Sequence, residues 1–389
     1  MRRYDMDWLR VLVFGLLIFY HVGMYFVPWG WHIKNNTIYE WLVYPMLFVN
    51  QWRLPILFVI SGMGTYYAMN KRSGRQFIYE RITRLLLPLA VGILLIVPPQ
   101  VYIERLANNQ FNGHYLEYWP QYAFMGVYPE GNFSWHHLWF LPYLLLFSLV
   151  LCPVFLYLRS NPDFRLIGWV QKQVQKPLGL YWAILPLYLT ESFLEPFFPV
   201  THALVGDWFT LVNFLILFFY GFLLIAAKKE FWETVTRRRR LYLYLGIVGF
   251  SVWLGLVFSF RDSTLLHFTE AAVKVFNLWT WILVLFGYAS RYLNRPGRVL
   301  AYANEAVYPF YILHQTITVI IGYYLLDSGL DFLPAFTILV LGTFGFSWLI
   351  YELAIRPWPW IRPLFGLKNK KVPVAEIRPS KVQSAGGIP

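Results

Sequence analysis

Residues 7–21 read Asp7-Trp8-Leu9-Arg10-Val11-Leu12-Val13-Phe14-Gly15-Leu16-Leu17-Ile18-Phe19-Tyr20-His21. Between the arginine and the histidine lie ten residues with no charge among them. Extended to residue 30, a run of this kind is long and apolar enough to cross the hydrocarbon core as one helix. At 3.6 residues per turn, a separation of eleven places Arg10 and His21 on one face, about 16 Å apart along the axis. Ionisable side chains inside a span are costly and by default mark a functional path. The alternative is a histidine satisfied by a neighbouring hydroxyl, with Arg10 snorkelling to the interface.

The rest of the chain agrees with the first segment. Its 389 residues are 58% hydrophobic and 21% aromatic but only 14% charged, and the mean hydropathy is +0.47. Soluble domains carry about 25% charge, so the composition is that of a membrane protein. The pattern predicts an all-α, polytopic membrane protein with about ten transmembrane helices. Their expected limits are 8–30, 41–68, 82–103, 136–158, 178–196, 207–227, 241–260, 269–290, 302–325 and 333–355. One membrane domain is expected over 1–355. Residues 356–389 lose the apolar density of the spans and read as a mobile cytoplasmic tail without chemistry.

Charge placement orients these spans. One set of loops, with both ends of the chain, holds 28 of the 33 lysines and arginines. The opposite loops hold Lys34, Arg105 and Arg261, while Arg53 and Lys274 fall within spans. The positive-inside rule then places both termini in the cytoplasm. The net charge of +13 reads as topology and contact with anionic membrane lipid, not as a nucleic-acid surface. Arg237-Arg238-Arg239-Arg240 is an inside anchor on this reading. The first apolar segment is too long for a cleavable signal peptide and is expected to be retained. Cys152 stands alone, which excludes an internal disulfide or a cysteine metal cluster.

Several polar residues inside or beside the spans could carry chemistry. Asp7 and Arg10 can pair at i, i+3. His21 lies about 20 Å beyond Asp7 along the helix, where an imidazole can accept a proton from a hydroxyl. Arg53 precedes Ser61-Gly62 in the second span and needs a partner or a wet cavity; Ser61-Gly62 supplies a hydroxyl or permits close helix approach. Arg81 and Arg84 share a helix face suited to gripping phosphate oxygens, or serve as an inside flank. Adjacent His136 and His137 point about 100° apart, so they do not make a metal site together, and no metal is expected. Asn304-Glu305 is followed by a polar stripe of Tyr308, Tyr311 and Gln315, with His314 alongside. The aromatic outer loop, about 104–135, fits either an interfacial belt or a surface for sugar rings.

Taken in order, Arg10-x10-His21, Phe58-x-x-Ser61-Gly62, Arg81-x-x-Arg84 and the Glu305-to-His314 segment resemble the acyltransferase-3 family of integral membrane acyltransferases. Asp7-x-x-Arg10, the placement of Arg53 and His137-Leu138-Trp139-Phe140-Leu141 resemble most its subgroup of succinyltransferases acting on periplasmic glucans. The resemblance implies an acyl-CoA donor (succinyl-CoA or acetyl-CoA) in the cytoplasm and an extracytoplasmic carbohydrate acceptor, at the inner membrane. It implies His21, Arg10 and Asp7 as the catalytic group, and Arg81, Arg84 and Ser61 on the donor. Arg53, His137, Trp139, Glu305, Tyr311 and His314 would face the substrate. A pantetheine arm on the order of 20 Å long matches the helical rise from the inner mouth to His21. His21 would act as general base or as transient acyl carrier. The competing reading is a transporter or exporter of a glycan or small molecule without acyl chemistry; the paired short broken helices of many transporters are not evident. A homo-oligomer or a glycan-synthesis partner is compatible with either.

Overall fold

A computed structural model describes residues 2–258 and 263–369. Among these residues the chain is helical, without strands; a single isolated bridge joins Val127 and Phe133. The main helices are α1 (Tyr4–Met24), α2 (Val43–Met69), α3 (Gly74–Ala107), α4 (His136–Val150), α5 (Cys152–Ser160), α6 (Arg165–Gln175) and α7 (Ile184–Phe193). They continue as α8 (Trp208–Ala226), α9 (Lys228–Val257), α10 (Thr264–Tyr292), α11 (Arg298–Leu325) and α12 (Phe332–Ile350).

Among the described residues, seven helical segments are long and apolar enough to cross a membrane, and an eighth if α4 and α5 form one broken span. Those two meet at a 48° bend, where Pro153 has no N–H to continue the ladder. Two of the ten expected spans fall outside that set. The segment 178–196 yields a 3₁₀ turn, Gly179–Ala183, and only ten residues of helix in α7. The segment 302–325 forms the long α11, but its tyrosines, His314 and Gln315 make it less apolar than the others. Of the two cations expected inside spans, Lys274 on α10 is ion-paired with buried Glu191 on α7.

α1 lies at the centre, packed against α2, α10, α11 and α12. α2 and α8 approach more closely than side chains allow. A Cβ on Gly62 would stand 1.9 Å from the Phe218 carbonyl oxygen, and one on Gly221 2.0 Å from that of Val59. Of the two roles considered for Ser61-Gly62, close approach is therefore what Gly62 performs. α3 is interrupted by two π-helical turns, Ile82–Leu86 and Gly92–Ile96, and such turns commonly re-aim side chains at sites. Beyond residue 355 the chain still folds on the bundle. Arg362 and Phe365 are buried in a 3₁₀ turn, and Gly366 packs on Tyr308. Residues 370–389 of the expected tail, and Arg261, lie outside the described residues.

Candidate active site

Two cavities lie along α1, called outer for the one toward its C-terminal end and inner for the one toward its N-terminal end. The outer one, about 470 Å³, is lined by His21, Arg53, Tyr128, Trp135, His136, His137, Trp139, Thr201, His202, Tyr311 and Gln315, among others. The inner one, about 320 Å³, is lined by Arg10, Ser61, Arg72, Glu80, Arg81, Arg84, Asn304 and Tyr308, among others. Phe14, Leu57 and Phe140 line both. An apolar partition of three side chains thus separates an arginine-rich chamber from a histidine-rich one.

His21 stands at the outer side of that partition. Its Nδ1 lies 2.7 Å from Nε2 of His314, with the two ring planes within 3° of parallel. His314 is fully buried, and its Nδ1 lies 2.7 Å from the Tyr311 carbonyl oxygen. A carbonyl can only accept, so Nδ1 of His314 carries the hydrogen and donates it. In the neutral pair, Nε2 of His314 is then the acceptor for the Nδ1 hydrogen of His21. The remaining nitrogen of His21, Nε2, is left with a lone pair. The arrangement sets the tautomer of His21 in the way a buried carboxylate does in hydrolytic triads.

A second network stiffens the wall beside this pair. His137 donates from Nε2 to the Ile312 carbonyl oxygen at 3.0 Å, and its own carbonyl accepts from the Tyr311 hydroxyl at 2.6 Å. Gln100 donates to Thr316 at 2.7 Å, and its Oε1 accepts from Gln315 at 3.1 Å. Gln315 also lies 2.9 Å from Nε2 of His32, which is paired through Nδ1 with Glu104. The Tyr128 hydroxyl donates to the other oxygen of Glu104 at 3.0 Å. Among the described residues, no three His, Cys, Asp or Glu side chains converge so as to hold a metal ion.

Arg53 is the least satisfied cation of the outer cavity. It is 6% exposed, with its guanidinium 3.5 Å from the centre of the Tyr20 ring. Its Nη2 donates to Asn50 at 3.2 Å, while Nε and Nη1 are buried without a hydrogen-bond partner. A buried guanidinium with open donors is matched to an anion, best to a carboxylate. In the inner chamber Arg81 donates to the Thr65 hydroxyl at 2.7 Å, and Arg84 to the Gly366 carbonyl at 3.4 Å. Arg10 pairs with Asp7 at 2.9 Å and with Asn304, leaving its Nε unpartnered.

The expected site residues therefore divide. His21, Arg53, His137, Trp139 and Tyr311 meet in the outer cavity, and Arg10, Ser61, Arg81 and Arg84 in the inner one. His314 packs behind His21 and lines neither cavity. Asp7 holds Arg2 and Arg10 at the mouth. Glu305 is drawn into an ion pair with Arg362 at 2.9 Å, away from both cavities. Trp139 is 8% exposed and stacked with His202 and Phe214, at 3.9 and 5.8 Å between ring centres, so little of its face is open to a sugar.

The acyltransferase-domain profile matches residues 3–352. The chain belongs to the acyltransferase-3 family. Its similar relatives include the glucans biosynthesis proteins C of Salmonella paratyphi B, Salmonella dublin and Salmonella enteritidis. Each is 23% identical over 94% of this chain and 95% of its own length. No solved structure matches. The two cavities are therefore those of a multi-pass membrane acyltransferase. Thr201 and His202 line the outer cavity, and His32 and Gln100 bond to its Gln315; the sequence singled out none of the four. Their signal is faint: isolated polar residues in outer loops or at span ends, without a common spacing.

Proposed function

We propose that this acyltransferase moves an acyl group from cytoplasmic acyl-CoA to a hydroxyl of an extracytoplasmic carbohydrate, and that the acyl group is a short dicarboxylic one such as succinyl. The observation that carries the reading is the 2.7 Å contact of His21 Nδ1 with His314 Nε2, which leaves Nε2 of His21 with a lone pair in a cavity that three side chains separate from the arginine-rich chamber. On this reading Arg81, Arg84 and Arg72 hold the donor's phosphates at the inner mouth. Its arm passes the Phe14–Leu57–Phe140 partition, and the thioester reaches His21. A succinyl carboxylate would then extend outward to the open donors of Arg53.

In the direct route, the acceptor hydroxyl gives its proton to His21 Nε2 as its oxygen attacks the thioester carbon. The C–O bond forms and the C–S bond breaks. The imidazolium returns the proton to the departing thiolate, giving the ester and free CoA thiol. In the two-step route Nε2 attacks first and carries the acyl group to the hydroxyl. Both routes need the same bare nitrogen. Family membership favours either over an exporter without acyl chemistry.

The test is release of CoA thiol by the purified protein in lipid, offered succinyl-CoA, acetyl-CoA or no donor, with a crude glycan extract present. Release that His21→Ala abolishes supports the reading, and preference for succinyl-CoA supports the dicarboxylic donor. A folded protein that releases no thiol from either donor contradicts it.

A further inference from the structure

The loop between α7 and α8 carries a histidine that none of the motifs includes. Asp207, fully buried, ties the loop together. Its Oδ2 accepts from the Tyr143 hydroxyl at 2.5 Å and from the His202 backbone N–H at 2.9 Å. The Tyr143 oxygen in turn accepts from the Leu204 N–H at 2.9 Å. The His202 carbonyl accepts from the Trp135 indole, also at 2.9 Å. These bonds hold two non-glycine residues in the left-handed region, His202 at φ 57° and Leu204 at φ 67°. Side chains disfavour that conformation, and it persists where surrounding contacts over-determine it, often at functional sites.

The consequence is the placement of one imidazole. The His202 ring lies flat on Trp139, 3.9 Å between centres and 18° between planes, and lines the outer cavity with His21 and Arg53. His21, His32, His137 and His314 each spend a ring nitrogen on a hydrogen bond within the protein. No ring nitrogen of His202 bonds a described residue. His136 shares that property, but its Nε2 is buried against the edge-on rings of His32 and Tyr128. Burial pushes the His202 imidazole down to about 4, with Asp207 opposing the shift and Arg53 adding to it. At neutral pH the ring therefore offers one N–H and one lone pair, the complement of a hydroxyl.

We propose that His202 binds the acceptor carbohydrate, hydrogen-bonding a hydroxyl beside the one presented to His21. This rests on the acyl-transfer reading above and assigns its acceptor side. Asp207, Tyr143 and Trp135 are positioning residues for it.

The test uses the full chain in lipid nanodiscs with succinyl-CoA and a gluco-oligosaccharide mixture, recording acceptor-free thiol release and acceptor-dependent transfer separately. His202→Phe keeps the stack on Trp139 and removes both ring nitrogens. Its acceptor KM should rise about tenfold, the loss of one hydrogen bond, while acceptor-free release stays within about twofold of the unsubstituted protein. His202→Asn, which tolerates the left-handed backbone and keeps an amide, should recover part of the loss. An unchanged acceptor KM in His202→Phe overturns the assignment. So does loss of acceptor-free release in both variants, which would make His202 a packing residue. Absence of His21-dependent release in the unsubstituted protein is a different result and overturns the acyl-transfer reading itself.

Discussion

His21 Nδ1 and His314 Nε2 lie 2.7 Å apart, joining residues 293 positions distant in the chain. The bond commits Nδ1 of His21 and leaves its Nε2 with the lone pair, so on the proposed reading His314 acts through His21 without touching substrate. Replacing His314 by Ala should lower kcat by on the order of 10²-fold, as His21 loses its orientation and tautomer. His314→Gln, whose amide oxygen can accept the Nδ1 hydrogen, should restore roughly tenfold of that. Single-turnover acyl transfer measures both, and a full loss in the Gln variant would argue against the tautomer role.

Arg53 gives a prediction about donor choice. Arg53 lines the outer cavity, where the far end of a dicarboxylic acyl group would lie on the proposed reading, and two of its donors are buried without a protein partner. Arg53→Gln should cut the succinyl-CoA to acetyl-CoA ratio of kcat/KM by about 10- to 100-fold, the scale of a charge-assisted hydrogen bond. Acetyl transfer should change much less. An unchanged ratio would exclude a carboxylate at this guanidinium and leave Arg53 as a partner of Tyr20.

The pH dependence of acceptor binding is set by His202. Burial lowers its pKa from 6.5 to about 4, so the neutral form is favoured and protonation is delayed. Binding that needs the lone pair is fully present above that range and is lost as pH falls through about 4, not through 6.5. The acceptor KM should therefore stay flat from pH 7 to about 5 and climb below it. An inflection near 6.5 would show a solvent-exposed ring. The readout is KM, because kcat also reports His21.

A stability test separates the scaffold from the site. Gly62→Ala places a methyl 1.9 Å from the Phe218 carbonyl oxygen, so α2 and α8 must part. A loss of about 1–3 kcal/mol is expected, read as a lower melting temperature in detergent. Gly15→Ala meets nothing within 4 Å and should be neutral or gain up to about 1 kcal/mol. Equal effects at the two glycines would contradict the close α2–α8 approach.

Composition and local pattern were enough to settle the solvent and the class of structure. Apolar runs and scarce charge require membrane helices, because a helix satisfies its own backbone in hydrocarbon. They also put Arg10 and His21 on one face of α1, since helical periodicity is local. Motif order was enough to reach the family, and both residues do line cavities. Beyond local periodicity, packing between helices decided the outcome. α7 is only ten residues long, and its Glu191 finds Lys274 only because α10 packs beside it. Glu305 was drawn to Arg362, and His314 to His21, from opposite ends of the chain. His202 had no motif at all. Its place over Trp139 comes from Asp207 and Tyr143, whose bonds to its loop exist only once α4 and α8 are assembled. Spacing along a helix fixes a direction; the partner met in that direction belongs to a neighbouring helix, and its identity comes from how the helices assemble.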